Sequence, residues 1–102
     1  MICVLATIEL AEGRRDDFLA EFHKVLPLVL AEQGCLEYQP MVDLPTEIGA
    51  QVPERSDVVT VVEKWESVDA LEAHLMAPHM LDYRKRVGGF VVNSSLAILA
   101  PT

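Results

Sequence analysis

The stretch "VVTVVEKWESVDALEAHLMAPHM", residues 58–80, decides the architecture. Its first eight residues alternate, with Val59, Val61, Glu63 and Trp65 on one face of an extended strand and Val58, Thr60, Val62 and Lys64 on the other. The period then changes from two to 3.6. Ser67 is a favourable N-cap, Asp69 suits a first turn, and Ala70, Leu71, His74 and Leu75 form one helical face. Pro78 separates this helix from a shorter one, "HMLDYRKRV", which Gly88 and Gly89 end. The strand is apolar on both faces, and one helix covers only one of them.

Working outward, "ICVLATIEL" at 2–10 predicts a second apolar strand that stops at the turn Glu12-Gly13. From Arg14 to Gln33 the residues Phe18, Phe22, Val25, Leu26 and Val29 recur at helical spacing. Asp16, Asp17 and Glu21 favour the N-terminal half by opposing the helix dipole, and Gly34 is the stop. Pro27 removes a main-chain donor inside this helix, which predicts a kink or break between His23 and Pro27. "CLEYQPMV" alternates as a strand, with Leu36 and Tyr38 on one face and Glu37 and Gln39 on the other. "DLPTEIGAQVPERSD", 43–57, has two prolines, a glycine and no period, and reads as a long loop. "FVVNSSLAILA" is the last strand.

The order β-α-β-β-α-β predicts an α+β fold, a ferredoxin-like protomer whose antiparallel sheet carries its helices on one face, in a single domain spanning 1–102. The other face, with "ICVLA", "VVTVV" and "LAIL", would leave a large apolar patch in water. A chain of 102 residues buries only about two thirds of its unfolded surface, so a second copy has much to add. The expectation is a homodimer through the sheet face, a dimeric α+β barrel with the helices outside.

The formal net charge of -8 argues against nucleic acid and anionic membranes, since both need cations to neutralise phosphates. The basic clusters Arg14-Arg15 and Arg84-Lys85-Arg86 are too short to reverse that balance. No apolar run approaches the roughly 20 residues of a spanning helix, and "MICVLATIELAEG" lacks a basic region and a cleavage-like site. A soluble, cytoplasmic protein is expected, with Cys3 and Cys35 reduced and packed as small hydrophobes.

No Gly-rich phosphate loop, G-x-S-x-G elbow or Cys-x-x-Cys pair occurs, which leaves nucleotide-dependent and covalent hydrolytic mechanisms without support. The chemistry has to come from isolated ionisable groups in an apolar setting. His74 shares its helical face with Leu71 and Leu75 and should point at the sheet, where a half-buried imidazole is either a base near neutral pH or a hydrogen-bonded core residue. His79 follows Pro78 near a helix start. The spacing of five turns it about 140° from His74, and no third ligand lies at useful spacing, so no metal site is expected. Glu63 shares its face with Val59, Val61 and Trp65, and a carboxylate in such a layer must find a partner or titrate near neutrality. His23 is expected in solvent.

Three segments carry a family resemblance over nearly the whole chain outside the 43–57 loop: "AEGRRDDFLAEF", the "EQGCLEYQ" leading into the second strand, and above all "EKWESVDALEAHLMAPHM". The chain resembles the antibiotic biosynthesis monooxygenase family, including its quinol monooxygenase-like members. The resemblance implies a ferredoxin-like protomer in a dimeric α+β barrel, in agreement with the sheet-face argument. It also implies oxygenation of small quinol, phenolic or anthrone-like aromatics by dioxygen, with no metal, flavin or haem cofactor. A phenolate reduces dioxygen unaided once a base has removed its proton, so the protein has to supply a base, oriented hydrogen bonds and a dry cavity. The pocket then lies between helices and sheet. His74 is the first choice for the base and His79 the second, with Tyr38 orienting a substrate oxygen and Thr7, Phe22, Glu63 and Trp65 binding substrate. Haem-degrading relatives carry an asparagine, a tryptophan and an iron-ligating histidine where Thr7, His74 and Arg84 stand here, and without the axial ligand haem oxygenation is not expected. Two other readings stand beside the oxygenase. One is an isomerase of a small hydroxyketone or sugar-derived signal, which a cationic wall facing a phosphate would mark; the other is a dimeric binding module without turnover.

Overall fold

The computed structural model describes all residues 1–102. The chain forms β1 (Ile2–Leu10), α1 (Arg15–Leu30), β2 (Cys35–Met41), β3 (Val58–Trp65), α2 (Val68–Met76), α3 (Pro78–Val87) and β4 (Val91–Leu99). The strands make one antiparallel sheet in the order β2-β3-β1-β4, the ferredoxin-like arrangement expected from the chain order. The most apolar strands, β1 and β3, sit at its centre, where the helical layer covers one face.

Alternation decides what each central strand contributes. Val4, Ala6 and Leu10 of β1 and Val59, Val61, Glu63 and Trp65 of β3 are buried toward the helices. Phe18, Phe22, Val25 and Val29 of α1 pack onto them, spaced by three or four residues so that they share one stripe. Leu71 and His74 of α2 and Met80, Tyr83 and Val87 of α3 complete the layer. Ser67 caps α2 as expected, its hydroxyl accepting from the Ala70 amide at 3.1 Å. Ala77 is extended between the two helices, and Pro78 opens α3 at its first position, where its missing N–H costs nothing.

Two local expectations are corrected. Helix α1 runs unbroken through Pro27 to Leu30. Pro27 withholds one donation, to the His23 carbonyl in the turn before it, and both residues lie on the exposed side where water substitutes. In β2, Cys35 pairs with Trp65 and Glu37 with Lys64, so Leu36 is the extra residue of a bulge. Leu36 is therefore exposed while Tyr38 is buried, and the two do not share a face.

The turn between α1 and β2 fixes how closely α2 approaches. Gly34 has φ +84°, and a Cβ there would lie 2.6 Å from the Ala70 Cβ. Only glycine satisfies both the left-handed backbone and that contact. The 42–57 connection closes on itself, with Asp43 accepting from the Arg55 guanidinium and backbone, and it leaves Leu44, Ile48 and Val52 exposed. No helix is long and apolar enough to cross a membrane. Cys3 and Cys35 are free and half-buried.

Candidate active site

Between the helices and the sheet lies a cavity of about 440 Å³, lined by 17 residues of which 12 are hydrophobic. Ala6, Ile8 and Val61 form its floor, Phe18 and Phe22 one wall, and Met80, Tyr83 and Val87 another. It opens over β4, the strand without a helix above it, whose residues are exposed beyond the first. Its polar lining is sparse: Tyr38, Glu63, His74, Tyr83, Arg84 and Ser94.

His74 is 2 % exposed. Its ring lies 4.6 Å from Trp65 and 5.3 Å from Tyr38, centroid to centroid, so aromatic surfaces fix its plane. Its Nδ1 donates to the Glu32 carboxylate, at 2.9 Å to Oε2 and 3.1 Å to Oε1. The Nε2 atom makes no hydrogen bond within the chain, yet no buried side-chain nitrogen or oxygen is left unpartnered. That nitrogen therefore keeps accessible surface, and His74 is among the residues that line the cavity. Burial pushes the His74 imidazole below its usual range, Arg84 and His79 add to this, and Glu32 opposes it. The ring is neutral at pH 7, the form a base requires.

Glu63 is the second ionisable group in the wall. It is 4 % exposed, and its Oε1 accepts from the Trp65 indole N–H at 2.9 Å. Burial raises its carboxyl to about 7, with the Glu32 charge adding and the indole hydrogen bond opposing. Tyr38 stacks on Phe22 with centroids 5.4 Å apart and planes within 3°. Burial first, and then the Glu63 charge, hold the Tyr38 phenol far above its ordinary range; burial does the same for Tyr83. Both phenols stay protonated and available as donors.

The structure brings together five of the seven residues singled out from the sequence. Phe22, Tyr38, Glu63 and His74 line the cavity, and Trp65 lies behind them, holding Glu63 and flooring His74. Thr7 is not among them. It pairs with Thr60 and Ser95 on the opposite face of the sheet, because the inward residues of β1 are its neighbours Ala6 and Ile8. His79 is outside the lining as well, its Nε2 bonded to Glu32 Oε2 at 2.8 Å. The sequence reading passed over Glu32, Met80 and Tyr83. Glu32 sits just past the C-terminal end of α1, where the dipole disfavours a carboxylate, and that misplaced charge was the available signal. No group of three or more His, Cys, Asp or Glu is arranged to hold a metal ion.

A family model described as "Antibiotic biosynthesis monooxygenase" matches residues 1–86. The chain is 40% identical over 103 residues to the "Probable quinol monooxygenase YgiN" of Escherichia coli K12, covering 99% of this chain and 98% of that protein. The protein of the same description from Shigella flexneri matches to the same extent. Among solved structures, PA3566 from Pseudomonas aeruginosa superposes with a TM-score of 0.81 at 24% identity, covering 99% of this chain and 93% of the other. Rv0793 from Mycobacterium tuberculosis gives 0.80 at 24%, with 99% and 94% covered. These two likenesses concern the fold.

Proposed function

This chain belongs to the antibiotic biosynthesis monooxygenase family, and within it we propose that the protein is a cofactor-independent monooxygenase that oxidises a small quinol or related dihydroxyaromatic with dioxygen. The observation that carries this is the open Nε2 of a neutral, buried His74, facing an apolar cavity of about 440 Å³ while its Nδ1 is engaged by Glu32. In this reading His74 Nε2 removes the hydroxyl proton of the quinol. The resulting anion is electron-rich enough to reduce dioxygen, and a water-poor site keeps the reduced oxygen beside the ring until the new C–O bond forms. Quinol and dioxygen give a hydroxylated quinone and water, with all four electrons supplied by the substrate. Tyr38, protonated throughout, and Glu63, a donor in the protonated form it keeps below about pH 7, orient the quinol oxygens, and Phe18 and Phe22 hold the ring. The printed description of the Escherichia coli relative supports the substrate class.

The isomerase of a small hydroxyketone or sugar-derived signal would be marked by a cationic wall facing a phosphate. Arg84 alone among the lining residues carries a fixed positive charge, and it lies at the exposed rim. The deciding experiment is oxygen uptake by metal-free protein with a panel of quinols and anthrones, beside folded His74→Ala protein, with labelled dioxygen traced into product. Uptake above autoxidation that falls about 100-fold or more in His74→Ala is expected for loss of a general base. No uptake across the panel would remove the reading.

The functional unit in this reading is a homodimer through the open sheet face. Cys3, Leu5, Thr7, Val62 and Ala97 are neighbours there across β3, β1 and β4, and no helix of the chain covers them. The charged residues of that face, the Lys64–Glu37 pair and Glu9, stand at its edges. A second copy placed there leaves both cavities, on the helical side, unobstructed.

A further inference from the structure

Glu32 is the residue whose placement the cavity itself does not explain. It lies between α1 and β2, outside the lining, and its side chain is 13% exposed. One carboxylate meets two imidazoles from two other elements: His74 of α2 through Nδ1 and His79 of α3 through Nε2, 42 and 47 residues away. The contact of Gly34 with Ala70 holds α2 against the turn that carries Glu32. The hydrogen-bonding partners of Glu32 thus come from two helices, while its backbone is fixed by a turn no other residue fits.

We propose that Glu32 is a positioning residue for His74, holding the imidazole as the Nδ1–H tautomer with Nε2 bare toward the cavity, and that His79 anchors Glu32 instead of acting on substrate. A carboxylate accepts only, so Nδ1 facing it must carry the hydrogen, and the neutral ring then leaves Nε2 as its basic nitrogen. When Nε2 takes a proton, the imidazolium forms against the Glu32 carboxylate bonded to its other nitrogen. His79 Nε2–H occupies the same Oε2 from the solvent side and fixes the direction in which the carboxylate points. This assignment deepens the oxygenase reading and rests on His74 as its base. The titratable and charged groups around His74 are Glu32, Tyr38 of β2, Glu63 of β3, and His79 and Arg84 of α3. Of these, Glu32 alone is bonded to the ring.

The test begins without substrate. Nitrogen-15 NMR of the ring nitrogens at pH 7.5, with the three histidines assigned by single replacement, should show a protonated Nδ1 and a bare Nε2 for His74. Glu32→Gln should move His74 toward the Nε2–H form, because the amide can donate to Nδ1, and should shift its titration to lower pH. Quinol-dependent oxygen uptake in that variant should fall about 100- to 10,000-fold in kcat, the cost of an imidazole in the wrong tautomer. Glu32→Asp, which keeps the charge, should retain the wild-type tautomer, and it supplies the comparison if the glutamine variant does not fold. An Nε2–H His74 in the wild-type protein overturns the proposal. So does a Glu32→Gln protein whose tautomer and titration are unchanged, since Glu32 would then be only a staple between helices. Wild-type protein with the expected tautomer but no uptake on any quinol would refute the oxygenase reading and leave the positioning of His74 standing.

Discussion

Replacing Glu63 by glutamine should make the protein more stable above neutral pH and remove a pH dependence that Glu63 alone creates. The carboxyl is buried among Val61, Trp65 and Tyr38 and is raised from 4.5 to about 7, burial being the largest cause. Between those two values the folded chain keeps a proton that the unfolded chain has released. Stability therefore falls as pH rises through this window, is greatest below the unfolded value, and loses the whole contribution above the folded one. An interval of about 2.5 pH units at about 1.4 kcal/mol each comes to about 3 kcal/mol, an order-of-magnitude figure for a buried site. Glutamine matches the shape of the protonated acid, and its carbonyl still accepts from the Trp65 indole. Urea denaturation of wild type and Glu63→Gln at half-unit steps from pH 4.5 to 8.5 gives the difference in unfolding free energy directly. That difference should be near zero at pH 4.5 and grow to about 3 kcal/mol by pH 8 in favour of glutamine. His74 acts in the opposite direction, since its lowered titration removes stability as pH falls, but it is common to both proteins and cancels. A difference that stays flat across the range would refute the claim that Glu63 is forced toward neutrality by its surroundings.

Gly34→Ala should destabilise by about 2–4 kcal/mol in thermal or urea unfolding, from left-handed backbone at φ +84° and a Cβ placed 2.6 Å from that of Ala70. Tyr38→Phe keeps the stacking on Phe22 and removes a hydroxyl with no partner in the chain, so its stability should stay within about 0.5 kcal/mol while KM for a quinol rises about 10-fold. Val62→Glu, at the centre of the open sheet face, should convert a dimer into monomers by sedimentation; an unchanged sedimentation coefficient would place any interface elsewhere.

The period-two and period-3.6 signals were strong where burial enforces them, which is why β3, β1 and the buried stripe of α1 stand where the sequence puts them. Pro27 was weighed by a rule for helix interiors, whereas it stands one turn from the end, on the solvent side, where one missing donation is cheap. Leu36 was read without the bulge that only pairing with β3 defines. The family resemblance points Thr7 into the pocket, whereas alternation within β1 turns it to the opposite face once Ala6 is inward. His74 and Glu63 were legible because each is polar in an apolar pattern. Glu32 is marked only by a carboxylate at the unfavourable end of α1, and its two partners, 42 and 47 residues away, are not readable from that signal.

Taken together, the two ionisable walls explain why an acidic protein can present an uncharged pocket. His74 titrates below its usual range and Glu63 near 7, both driven first by burial, so in the window between them, just below pH 7, the imidazole and the carboxyl are both mostly neutral. A quinol enters uncharged, and apart from Arg84 at the exposed rim no fixed charge lines the cavity to resist its burial. Proton transfer to His74 then creates an imidazolium and an aromatic anion side by side in a medium of low polarity, where their attraction is strong. The carboxylate that steadies the imidazolium is Glu32, kept behind the ring and outside the lining, so it does not repel the anion directly. Raising the pH well past 7 ionises Glu63 within the cavity and sets a negative charge against the forming quinol anion. Activity should therefore fall on the alkaline side in wild-type protein and persist in Glu63→Gln. A kcat/KM profile with the same alkaline limb in both proteins would assign that limb to another group.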